Sequence, residues 1–76
     1  MRSSYLLLRM EPKDVAMFRF LLEAYGHLAY FTVLERRPVL MKLGFSPDME
    51  RQVRQALDEI SDSVPFTVEP WPLDAV

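Results

Sequence analysis

The chain has 76 residues, of which 50% are hydrophobic and 26% charged, and it carries a formal net charge of −2. It contains no cysteine, no asparagine, one histidine (His27) and two glycines. Disulfide staples, thiolate zinc sites and cysteine nucleophiles are thereby excluded, and the negative balance offers no general attraction to nucleic acid or an anionic membrane.

In a domain this short a single core rarely supplies more than roughly 3 to 5 kcal/mol. With no covalent or Cys/His metal staple, oligomerisation or a partner is the expected supplement. The absence of cysteine fits a reducing compartment. The apolar run Tyr5–Leu8 before Arg9 falls short of the roughly 7 to 15 residues of a signal-peptide core. Leu28–Leu34 falls short of the roughly 18 needed to span a bilayer. The expectation is a cytoplasmic domain, soluble and without a membrane partner. Residues 1–45 hold seven basic and four acidic side chains and residues 46–76 hold two and seven, a skew that reads as solvated faces.

The elements alternate in type along one domain, 1–76. Ser4–Met10 is short and apolar with period-2 components, which predicts a strand over 4–10. Pro12 suits a first helical turn, and Val15, Phe18, Leu22 and Tyr25 recur at helical spacing up to Gly26, a natural left-handed stop; a helix is predicted over 12–25. Phe20 breaks the pattern, lying about 60° from Glu23 on the polar side of the helical wheel, and hints at a contact outside the core. Strands are predicted over 28–36 and 39–45, both rich in β-branched, aromatic and aliphatic residues, with Glu35–Pro38 as the turn between them. Ser46 as N-cap, Pro47 and Asp48 open a helix over 47–63, whose apolar stripe includes Met49, Val53, Leu57 and Ile60 and whose polar side pairs Glu50 with Arg54. Pro65 ends it, and Phe66–Glu69 begins a fourth strand over 66–70.

This βαββαβ order predicts an α+β, ferredoxin-like fold: a four-stranded antiparallel sheet with two helices on one face. Strict alternation assigns Leu6, Leu8, Phe31, Val33, Val39, Met41, Leu43, Phe66 and Val68 to the helix side. The open side receives Tyr5, Leu7, Arg9, Tyr30, Thr32, Leu34, Arg36, Leu40, Lys42, Thr67, Glu69 and Trp71. Half of that set is apolar or aromatic, where a sheet facing only water would be polar. The predicted interface anchors are Tyr5, Leu7, Tyr30, Leu34, Leu40 and Trp71, with a second copy of the chain as the expected partner.

Catalytic chemistry finds little support. His27 follows Glu23 by four residues, but two ligands do not make a metal site, and His27 suits the negative end of a helix. Asp58, Glu59 and Asp62 cluster near the end of the second helix, where solvation is the simplest role. No nucleophile frame or phosphate-cradling loop is present. An RNA-recognition sheet needs stacking rings on its third strand, where this chain has Leu40 and Lys42. No catalytic residue, cofactor, metal or nucleic acid is therefore expected.

The segments Pro12-Lys13-Asp14-Val15-Ala16, Phe20-Leu21-Leu22-Glu23-Ala24-Tyr25 and Thr32–Glu35 carry a resemblance to a family of short bacterial proteins recorded as a domain of unknown function. The resemblance implies a small stand-alone α+β domain with no activity to carry over. Acylphosphatases share the topology but need a loop arginine and a catalytic asparagine, and heavy-metal carriers need paired cysteines; both sets are absent. ACT-type sensing domains, which associate through sheets and bind ligands near the first loop and helix, are an alternative: they imply a small-molecule ligand near Glu11–Asp14 and a subunit boundary, although this loop lacks their glycine.

Overall fold

The computed structural model describes residues 3–72; the two ends of the predicted domain, residues 1–2 and 73–76, lie outside the described residues. The elements are β1 (Ser4–Met10), α1 (Val15–Glu23), β2 (Tyr30–Arg36), β3 (Val39–Phe45), α2 (Glu50–Ile60) and β4 (Thr67–Pro70). The strands form one antiparallel sheet in the order β2-β3-β1-β4. Both helices lie on one face, as an α+β ferredoxin-like domain requires.

β1 and β3 are central and pair along seven positions each, from Ser4 opposite Phe45 to Met10 opposite Val39. Because successive side chains point to opposite faces, that register sends Leu6, Leu8 and Met10 to the same side as Val39, Met41, Leu43 and Phe45. All seven are buried there against Phe18 and Leu22 of α1 and Val53, Leu57 and Ile60 of α2. Phe18 meets Phe31 and Phe66 edge-on, with ring centroids 6.1 and 5.3 Å away, and so ties β2 and the residue that leads into β4 to the middle of the core.

Each helix opens with a 3-10 turn, Pro12–Asp14 and Pro47–Met49. Proline fits such a turn because its missing N–H is one that a helix start leaves unpaired in any case. Ser46 makes no cap to the backbone; its hydroxyl turns to the Asp48 carboxylate. α1 ends at Glu23, two residues before Tyr25, and Gly26 takes the left-handed conformation, φ +78°, that redirects the chain.

Strict alternation fails in β2. Val33 faces Met41, yet Glu35 and not Leu34 comes next in register, opposite Leu40, so a β-bulge absorbs one residue. The expected placement of Arg36 on the open side is thereby corrected: Arg36 lies opposite Val39, on the helix side, and Glu35 takes the open side. Val33 and Val68, assigned to the helix side, remain exposed on the two edge strands. The helices bury the central pair, and toward the edges Phe31 and Phe66 reach the core while Val33 and Val68 do not.

Phe18→Ala is expected to cost about 3 to 5 kcal/mol, as much as a core of this size supplies. Thermal unfolding followed by circular dichroism should then lose its cooperative transition, whereas Phe18→Leu should retain one at a lower temperature.

Candidate functional site

The open face is built on the same central register. Tyr5 lies opposite Gly44, Leu7 opposite Lys42 and Arg9 opposite Leu40. From the flanks, Tyr30 pairs with Gly44 and Thr32 with Lys42, while Glu69 stands beside Leu7 and Thr67 beside Arg9.

At its centre Lys42 is a cation held between rings. Its Nζ stands 4.0 Å from the centroid of Tyr5 and 4.9 Å from that of Trp71, and the two rings are tilted toward each other at 6.2 Å. Ring quadrupoles attract an ammonium in this position by about 0.5 to 1 kcal/mol at exposed sites. β3 supplies the lysine, β1 the tyrosine, and the chain leaving β4 the tryptophan. Beside it, the Tyr30 ring lies over Gly44 so closely that a Cβ there would meet a ring atom at 2.5 Å. The Tyr30 hydroxyl reaches Ser3 Oγ at 3.5 Å. Arg9 and Glu69 form an ion pair at 3.9 Å, both half exposed, a geometry worth at most about 1 kcal/mol.

Of the six predicted anchors, Tyr5 and Trp71 are brought together around Lys42, and Leu7 adjoins Lys42 in register. Leu40 is half-buried opposite Arg9. Tyr30 is 57% exposed and Leu34, in the bulge, 47%; both belong to the edge of the face. The sequence places Lys42 on the open side but gives it no role among the anchors, and it assigns Gly44 to neither face. The signal for both was positional, because Tyr5, Lys42 and Gly44 become neighbours as soon as β1 and β3 are aligned.

Away from this face, the structure gives Glu59 a definite partner. The Tyr25 hydroxyl donates to Glu59 Oε1 at 2.5 Å, linking the turn after α1 to α2. In the first loop, Asp14 Oδ2 is inaccessible and has no hydrogen-bond partner among the described residues. His27 is exposed just after the turn. Two hollows lie at the sheet edges. One of about 260 Å³ runs between α2 and β4, lined by Arg54, Leu57, Asp58, Ser61, Phe66 and Val68. One of about 170 Å³ lies between α1 and the start of β2, bordered by Arg19, Glu23, Ala29, Tyr30 and Phe31 among others. No helix among the described residues is long and apolar enough to cross a membrane.

Fold and site together define a small α+β domain with one face of its sheet open and an aromatic–lysine cluster at the centre of that face. Residues 8–64 match the family described as Domain of unknown function (DUF4911), and the chain belongs to it. No curated protein and no solved structure matches the chain.

The hydrogen bond to Glu59, aided by that carboxylate's charge, holds the Tyr25 phenol above its ordinary value of 10.0. Since the neutral phenol is the form that is held, this contact contributes fully below the ordinary phenol range and is lost as pH rises through the higher folded value. Spectrophotometric titration should show one late-titrating tyrosine, absent in Tyr25→Phe and returned toward the ordinary value in Glu59→Gln.

Proposed function

We propose that this domain is a non-enzymatic, cytoplasmic association module that docks on protein through its open sheet face, a second copy of the chain being the simplest partner. The observation that carries this reading is the apolar and aromatic character of the face that the helices leave uncovered. Tyr5, Leu7, Tyr30, Leu34, Leu40 and Trp71 serve as anchors, spread from the β2 edge to the chain beyond β4. Aromatic anchors commonly dominate interface energetics, and such a patch on an isolated small domain is most often a binding surface.

A second reading rests on one atom. Asp14 Oδ2 is an inaccessible acceptor without a described partner, in the loop where an ACT-like regulatory domain would receive a small ligand. An ammonium group on that ligand would satisfy it.

Sedimentation velocity at micromolar concentration is expected to show a species heavier than the 8.9 kDa chain. Leu7→Lys and Leu40→Lys should each raise its dissociation constant about tenfold, the equivalent of about 1.4 kcal/mol. A monomer at every concentration overturns self-association. For the second reading, a thermal-shift panel of amino acids and nucleotides should give a rise of melting temperature that Asp14→Asn abolishes; no rise across the panel rejects it.

A further inference from the structure

Tyr30, Val33 and Leu34, 57, 44 and 47% exposed, are large apolar side chains of a single strand, β2, which is an edge of the sheet. The outer backbone groups of an edge strand have no partner in the sheet, and proteins blunt such edges with short strands, proline, lysine or bulges. The opposite edge, β4, fits that description, with four residues ending in Pro70. β2 does not. It runs for seven residues, its first four, Tyr30–Val33, carry neither charge nor proline, and the bulge comes only after Val33.

We propose that the outer edge of β2 is a second association surface, adjoining the open face and sharing Tyr30 and Leu34 with it, and that its occupant is β2 of another copy, added antiparallel about a two-fold axis at Thr32. The two four-stranded sheets then join into one of eight strands. This register is self-complementary. Thr32 faces the partner's Thr32, Tyr30 faces the partner's Leu34 on the open side, and Phe31 faces the partner's Val33 on the helix side. Cross-strand pairs of aromatic with aliphatic residues and of threonine with threonine are among the favourable ones in sheets. The side chains of Val33 and Leu34, bare in the single chain, gain neighbours.

Charge selects the same arrangement. At the start of β2, Glu23 borders the hollow next to Ala29 and Tyr30. At its far end, Arg36 lies on the helix side opposite Val39, followed by Arg37. Among the described residues, the ion pairs are Arg9 with Glu69 and Arg54 with Glu50, and neither Glu23 nor Arg36 takes part in one. Antiparallel pairing brings Glu23, at the start of one edge, toward Arg36, at the end of the other, twice. Glu35, opposite Leu40, belongs to the open side and does not confront Glu23. Arg19 remains over its own Phe31 ring, 5.4 Å from the centroid.

The chain has no cysteine, so Thr32→Cys introduces a single thiol at the axis, where opposed Cα atoms about 4.5 to 5.5 Å apart suit a disulfide. Mild oxidation should yield a covalent dimer on a non-reducing gel, and Thr67→Cys, on the other edge, should stay monomeric. In sedimentation, Glu23→Arg and Arg36→Glu should each weaken association about fivefold, and the double variant should restore it. Within one chain these residues flank opposite ends of a strand roughly 20 Å long, so restoration requires contact in trans. Thiol coupling at Thr32 no faster than at Thr67, or a double variant no better than the singles, overturns the proposal. Association that yields to Leu7→Lys but ignores the charge reversals also overturns it while leaving the open-face reading intact; the converse result rejects the open face and upholds the edge.

Discussion

The pairing of β1 with β3 is the constraint on which the rest of the molecule depends. Seven residues of each strand meet in one unbroken register, and a slip by one would move Leu6, Leu8 and Met10 to the open face and Tyr5, Leu7 and Arg9 into the core. The apolar weight of the two strands makes the observed register decisive, since burying four β3 side chains opposite three from β1 completes a core that no slipped alignment reproduces. The same register carries Lys42 and Gly44 to the other side and sets them next to Tyr5. Core and candidate site are thus two consequences of one alignment.

The helices then determine what stays outside. α2 has a narrow apolar stripe, Val53, Ala56, Leu57 and Ile60, all buried, with polar residues elsewhere. α1 is apolar almost all round, and only Phe18 and Leu22 are fully buried. Its remaining apolar surface includes Met17 and Phe20, both largely exposed. The two helices bury the central strands and leave Tyr30, Val33 and Leu34 of β2 and Val68 of β4 exposed at the edges.

Much of this was legible from residue order. The alternation in β1 and β3 marks their faces because one side is almost purely apolar, and the proline-led starts of both helices mark the crossovers. Three features were not. The bulge at Leu34 leaves no compositional trace, because inserting one residue in Tyr30–Arg36 changes pairing without changing residue type; Arg36 was misplaced for that reason. Ser46 is the expected N-cap residue type, but its hydroxyl donates to the Asp48 carboxylate instead of accepting from a backbone N–H. The cluster of Lys42 with Tyr5 and Trp71 joins residues from three parts of the chain, and period-2 reasoning assigns a face without saying which side chains on it will touch.

The two surfaces differ in what they ask of a partner. Docking on the open face brings Lys42 and its rings out of water, and a buried ammonium is tolerated only when it keeps its attractive neighbours or gains an anionic one. That electrostatic demand favours an occupant that offers carboxylates or carbonyl oxygens to the Lys42 position. The β2 edge makes no such demand: its central residues are uncharged, its unpaired backbone groups are satisfied by an identical strand, and its charged ends are complementary under a two-fold. In a chain with no covalent staple, the edge is accordingly the place where added backbone hydrogen bonds and buried apolar area supplement a small core at the least electrostatic cost, and it leaves the Lys42 cluster with Tyr5 and Trp71 uncovered.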